Sequence, residues 1–194
     1  MDKQREIAEL GAIYGEPSVG RWAREVTETA FRFWADKPQK RFGEVVLFIL
    51  RTNGRLLLHT KAFYPEGAFR VPTGTLLEGE PLLDAVRRET QEETGLQVCV
   101  ERFLAALEFE FRWQAQHFLI PSYLFLVRET QGALHCEDEQ EQISAFREIS
   151  PRELDCVAEQ LEHLPPDWQD WGWFRGLPHR VAAQLLLSSA EGAQ

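Results

Sequence analysis

The stretch that most constrains this chain runs from Gly74 to Leu96. It reads as a spacing rule: Gly74, five residues, Glu80, seven residues, then Arg88-Glu89-x-x-Glu92-Glu93-x-Gly95-Leu96. Pro81 suits the opening of a helix, because its ring presets φ and its missing N–H is not needed in the first turn. Gly95 suits its close as the residue that can turn left-handed. Between them Glu89, Glu92 and Glu93 stand at i, i+3 and i+4 and so share one helix face. Leu82, Leu83, Val86 and Thr90 form the opposite, inward stripe. Three acids on one face repel one another unless a positive charge sits among them. A hard divalent cation with oxygen ligands is the natural candidate, Mg²⁺ before others.

A Glu-rich helix face alone is most often a solvated surface. The fixed distances to Gly74, Glu80, Arg88 and Gly95 change that reading. Together these positions match Gly-x5-Glu-x7-Arg-Glu-U-x-Glu-Glu-x-Gly-U, with U an aliphatic residue, and the sequence resembles a Nudix hydrolase. Two positions depart from the pattern. Thr90 takes the first aliphatic place, and Thr73 replaces the Gly that usually precedes Gly74. A β-branched residue is poor at positive φ, so the loop is expected to differ locally there.

Composition bounds the rest. With 194 residues, 44% hydrophobic and 27% charged, the chain is expected to form one domain with extensions. A formal net charge of −10 argues against a dedicated nucleic-acid surface but not against a nucleotide substrate, whose phosphates a metal neutralises. Cys99, Cys136 and Cys156 are scattered and odd in number, which reads as reduced thiols in a cytoplasmic protein. The polar start is not that of a signal peptide, and no run is long and apolar enough for a membrane span.

Residues 1–40 precede the recognisable core. Ile7, Leu10, Ile13 and Tyr14 have helical spacing, and Trp22 to Trp34 is ambiguous between strand and helix. The segment reads as a lid or a dimer element, and residues 41–194 as the Nudix domain with a Trp-rich C-terminal segment. Glu44–Leu50 is a continuous apolar run and hence a buried strand. Asn53-Gly54 signals a hairpin into Arg55–Lys61 as its paired strand. Phe103, Ala105, Leu107, Phe109, Phe111 and Trp113 alternate on one face of a long strand, and His117–Val127 returns as a second. Gly132–Gln142 is an acidic loop, Ala145–Ile149 a short strand, and Pro151 begins a helix. The order suits an α/β fold, a Nudix-type α/β/α sandwich around a mixed sheet, with an N-terminal extension. The aromatics around Trp168, Trp171 and Trp173 read as a core plug beneath the last helix, or else as a base-stacking wall or a partner surface. Together with the first 40 residues they supply more aromatic surface than one sandwich needs, which predicts a homodimer.

The resemblance implies hydrolysis of the diphosphate linkage in a nucleoside diphosphate joined to another moiety. It implies Thr73 (through its carbonyl), Glu89, Glu92 and Glu93 as ligands of Mg²⁺, with Mn²⁺ as a substitute. Glu89 serves as base or orienter of the water, Arg88 holds a box carboxylate, and Glu80 lies behind it. A further Glu from the acidic loop is expected to take part, Glu141 ahead of Glu139. Arg70, Lys61, Arg112 and Trp113 are the candidate substrate contacts. Few basic residues flank the box, which favours a nucleotide-sugar type of substrate such as ADP-ribose over a nucleoside triphosphate. The Pro that many ADP-ribose-cleaving members carry downstream of the box is absent. The alternatives are a (deoxy)nucleoside triphosphate pyrophosphohydrolase and, from another class, a non-catalytic nucleotide-binding regulator. The second usually lacks box carboxylates, all of which stand here.

Overall fold

The computed structural model describes residues 2–35, 42–136 and 141–191. Seven strands form one mixed sheet in the order β1-β5-β6-β2-β3-β7, with β4 paired to β2. The strands are β1 (Ser18–Glu25), β2 (Glu44–Leu50), β3 (Leu56–Lys61), β4 (Thr73–Thr75), β5 (Leu96–Trp113), β6 (Gln116–Gly132) and β7 (Ile143–Ile149). Helices α1 (Lys3–Tyr14) and α3 (Leu82–Thr94) cover one face. Helices α2 (Glu28–Ala35), α4 (Leu154–Glu162) and α5 (Gln169–Glu191) cover the other. This is the expected α/β/α sandwich.

The apolar run of β2 explains its central place. Val45, Leu47 and Ile49 pack toward α3, while Val46 and Phe48 pack toward α5. A strand covered on both faces cannot alternate with polar residues. The Asn53-Gly54 turn forms, with Gly54 at φ 80°, yet β2 and β3 pair only at Leu50↔Leu56. Beyond that point β2 runs parallel to β6 and β3 runs antiparallel to β7, so the expected hairpin partner is a sheet neighbour at one end only.

β5 and β6 form a hairpin far longer than the alternating stretch suggested. Its register shifts between Phe103 and Ala105, and the extra residue turns Phe103 to the opposite face. Phe103 therefore stacks on Phe125 in the α3-side core, while Ala105, Leu107, Phe109 and Phe111 pack on the α5 side.

Residues 2–35 are built into the sandwich. β1 adds a parallel edge strand to β5. α1 supplies Glu6, whose buried carboxylate accepts from Leu82 N at 2.5 Å, at the start of α3 where Pro81 offers no capping side chain. An anionic acceptor there meets an otherwise unpaired N–H and the positive helix end. α2 buries Phe31 and Trp34 against Phe111, Phe118 and Phe174. Asp170 of α5 accepts from Arg24 Nε at 3.0 Å and Thr27 N at 2.9 Å, tying the two ends of the chain together. The aromatic surplus from which a homodimer was expected is thus largely taken up within one chain. Among the described residues, no helix is long and apolar enough to cross a membrane.

Candidate active site

The box folds as a short strand, a turn and a helix. Gly95 closes α3 in the left-handed region at φ 66°, and a Cβ there would lie 2.2 Å from the His135 ring. Thr73 needs no positive φ, because it sits in β4 paired with Val46. The replacement of the usual Gly is accommodated by extended backbone. Thr90 is fully buried, and its hydroxyl donates to Val86 O at 2.6 Å, so the polar atom is satisfied within the helix while its methyl packs.

Arg88 organises the acids. Its Nε and Nη2 donate to Glu80 at 2.7 and 2.9 Å, Nη1 to Glu89 at 2.7 Å and Glu92 at 3.0 Å, and Nη2 also to Thr75 O at 3.0 Å. Every guanidinium hydrogen has an acceptor, and the group is fixed. The hydrogen bond to Glu80 and the charge of Glu89 raise its pKa further above the ordinary arginine value. The three box carboxylates are not equivalent. Glu89 and Glu93 are buried, whereas the Glu92 side chain is 43% exposed and turned to Arg88. Burial pushes the pKa of Glu89 up to about 7, opposed by Arg88. It pushes Glu93 likewise to about 7, opposed by Arg70 and Lys61.

β3 brings up a second set of groups. Alternation turns Leu57, His59 and Lys61 toward α3. Lys61 Nζ lies 3.4 Å from Glu93 Oε1 and donates to Glu141 Oε2. His59 is fully buried, with Nε2 4.0 Å from Glu93 Oε2; among the described residues neither ring nitrogen nor that oxygen has a hydrogen-bond partner. Arg70 is also buried, donating to the Tyr64 hydroxyl, Val71 O and Thr73 Oγ1.

Above these groups opens a cavity of about 630 Å³. One end is lined by Thr73, Gly74, Arg88, Glu89, Lys61 and Glu141. The other is aromatic: Tyr64, Trp168 and Trp171, in mutual contact at 4.7–6.1 Å, line one part, and Phe33 and Trp34 of α2 another. The Trp-rich stretch is therefore divided between the cavity and the core. Trp168 and Trp171 line the cavity, whereas Trp173 packs on Phe109 and Phe111 in the core.

Of the residues singled out from sequence, Thr73, Lys61, Arg70, Arg88, Glu89 and Glu141 line this cavity, and Glu93 lies beneath Lys61. Arg112 and Trp113 do not line it. The long hairpin carries them to its tip, where Arg112 is held by Glu110 at 2.9 Å and Trp113 packs on Phe31 and the Arg32 guanidinium. Glu139 lies outside the described residues. Sequence reasoning missed Glu44 and Arg175, a buried pair at 2.8 Å lining the cavity, and also His59. The available signal was a charged or titratable residue inside an apolar or aromatic run.

The donor chemistry suits a hard divalent cation: two carboxylates whose pKa burial raises, one with an oxygen lacking any donor among the described residues. Among the described residues, however, no three His, Cys, Asp or Glu side chains converge in a ligand arrangement. Instead Arg88 gathers Glu80, Glu89 and Glu92, and Lys61 gathers Glu93 and Glu141.

The family model described as NUDIX domain matches residues 40–171, and the chain belongs to the Nudix family. A curated relative, Nudix hydrolase 2 of Arabidopsis thaliana, is 27% identical over 142 residues, 72% of this chain but only 42% of that protein's length. Among solved structures, an ADP-ribose pyrophosphatase from Streptococcus suis is similar over 73% of this chain and 88% of its own, at 17% identity and a TM-score of 0.45. A MutT structure, from work on Aliivibrio salmonicida and Vibrio cholerae, is similar over 75% of this chain and 99% of its own, at 19% identity and a TM-score of 0.41.

Proposed function

We propose that this protein hydrolyses the diphosphate linkage of a nucleoside diphosphate joined to another moiety, with Mg²⁺ as its metal. The observation that carries the reading is one cavity with buried carboxylates at one end and aromatic walls at the other. When bound, the metal supplies charge neutralisation to the diphosphate oxygens. Glu89 and Glu93, with Glu92 and the Thr73 carbonyl, are the groups that would hold it. Arg88 keeps Glu89 aimed into the cavity. Glu89 orients the attacking water or takes its proton, with Glu141 the second candidate for that role.

The rest of the cavity supports a substrate with only two phosphates. Lys61, Arg70, Arg88 and Arg175 are matched in its lining by Glu44, Glu89, Glu141 and Asp167, so the described lining carries no surplus of positive charge. Each further phosphate would need a cation that this lining lacks. The aromatic end suits a base and the Asp167 carboxylate suits a sugar hydroxyl, which favours a nucleotide-sugar type such as ADP-ribose over a nucleoside triphosphate. Trp171→Ala tests the assignment. Stacking on an aromatic wall contributes about 1–3 kcal/mol per base, so KM is expected to rise at least about fivefold with kcat little changed. An unchanged KM would remove the stacking role.

A further inference from the structure

The acids of the site are shared between two cations of the protein itself. Arg88 takes Glu80, Glu89 and Glu92, and Lys61 takes Glu93 and Glu141. The two cations are held differently. Arg88 has an acceptor for every hydrogen, including a backbone carbonyl, and belongs to the helix it organises. Lys61 reaches in from β3 on a flexible stem, its side chain 10% exposed at the cavity wall, and both its anionic partners come from other elements.

Glu93 lies under the ammonium and is 1% exposed. Among the described residues, Lys61 and His59 are the basic side chains within 4.0 Å of it. On the far side stands His59, fully buried, held neutral by burial and by the charges of Arg70, Lys61 and Arg175, and without a hydrogen-bond partner on either ring nitrogen. Glu93 Oε2, facing His59, has no donor either. A buried carboxylate with one oxygen on a lysine, the other without a donor, and Arg70 acting only from beyond 4.0 Å is under-neutralised, and a lysine ammonium is the weaker of the two monovalent ways to compensate it.

Building on the metal-dependent reading above, we propose that Lys61 is a resident counter-cation: it fills the cation position between Glu93 and Glu141 in the free protein, and a divalent metal gains these two carboxylates only by displacing it. The ammonium and the metal then compete for the same oxygens, so free protein binds the metal more weakly than its carboxylates alone would allow. Displacement leaves the ammonium at the wall of the cavity, free to meet an anionic substrate. Lys61 is thus a positioning residue for the acids rather than a fixed phosphate contact.

The test is Mn²⁺ binding to the full chain without substrate, followed by electron paramagnetic resonance and calorimetry, for wild type, Lys61→Met and Lys61→Arg. Methionine keeps the length of the stem and removes the charge; arginine keeps the charge. The Met variant is expected to bind Mn²⁺ more tightly by on the order of tenfold, and the Arg variant to bind no more tightly than wild type. Wild-type binding with an equal or weaker affinity in the Met variant would overturn the competition while leaving the metal reading intact. Absence of Mn²⁺ binding in every protein would overturn both. A thermal melt of each variant identifies loss of fold, and the Arg variant, which retains the ion pairs, carries the comparison if the Met variant melts early: tighter Mn²⁺ binding by it than by wild type would also overturn the proposal.

Discussion

Gly74 and Glu89 share one space: a Cβ on Gly74 would lie 1.8 Å from Glu89 Cδ and 1.9 Å from Cγ. The glycine is required there by contact and not by a left-handed backbone, since Gly74 lies in the extended β4. The strand passes the helix closely enough to hold the carboxylate at the cavity wall, and Arg88 fixes it from the other side at 2.7 Å. Gly74→Ala must displace Glu89. A small misplacement at a reacting centre costs about 100-fold, and kcat/KM is expected to fall at least that far while the melting temperature moves by only a few degrees. An alanine variant with near-normal turnover would show that Glu89 is not positioned for the chemistry.

Glu92 and Glu93 are separated by their burial. Glu93 is 1% exposed, and one of its oxygens has no partner, whereas the Glu92 side chain is 43% exposed and bonded to Arg88. Glu93→Gln is expected to lower kcat by more than about 100-fold, and Glu92→Gln by roughly 10- to 100-fold, the range seen when partners around a metal are removed. Equal losses in the two would contradict the ranking.

His179 gives the pH dependence of stability. Its Nε2 accepts from Val71 N at 3.2 Å and its Nδ1 donates to Arg175 O at 2.7 Å, which fixes a neutral tautomer. Burial, helped by the charges of Arg70 and Arg175, lowers its pKa from 6.5 to about 4. A depressed pKa means that the unfolded chain takes up the proton first as pH falls. The contribution is therefore complete above pH 6.5 and is lost between there and about pH 4, amounting to roughly 3 kcal/mol at one pKa unit per 1.36 kcal/mol. In urea denaturation, the stability difference between wild type and His179→Gln is expected to shrink as pH falls through this window. A difference constant with pH would contradict the assignment.

The box was legible because its function demands fixed residue types at fixed spacing, and a helix turns that spacing into one face. Thr73 and Thr90 looked like departures, yet extended backbone and an internal hydroxyl bond absorb both. The apolar run of β2 and the alternation of β5 announced strands correctly. Pairing was less legible, because it is decided by distant segments: the Asn53-Gly54 turn forms, but β6 and β7 take the strands it joins. The face of Phe103 depended on one extra residue in the register. Arg112 and Trp113 were drawn to the site by their nearness to the box in sequence, and the length of the hairpin takes them away. The aromatic end of the cavity is assembled from α2, the loop after β3 and the start of α5, and no local pattern could have joined the three.

Metal-dependent hydrolysis of a diphosphate-linked nucleotide, the activity proposed for this protein, is checked by comparing catalytic efficiencies. Purified protein with Mg²⁺ is offered ADP-ribose, another nucleotide sugar, a dinucleoside polyphosphate and the common (deoxy)nucleoside triphosphates, each with and without excess EDTA. The expected result is cleavage abolished by EDTA, with the highest kcat/KM on a diphosphate-linked nucleotide sugar. A clear preference for any triphosphate, or turnover that survives EDTA, would contradict the account.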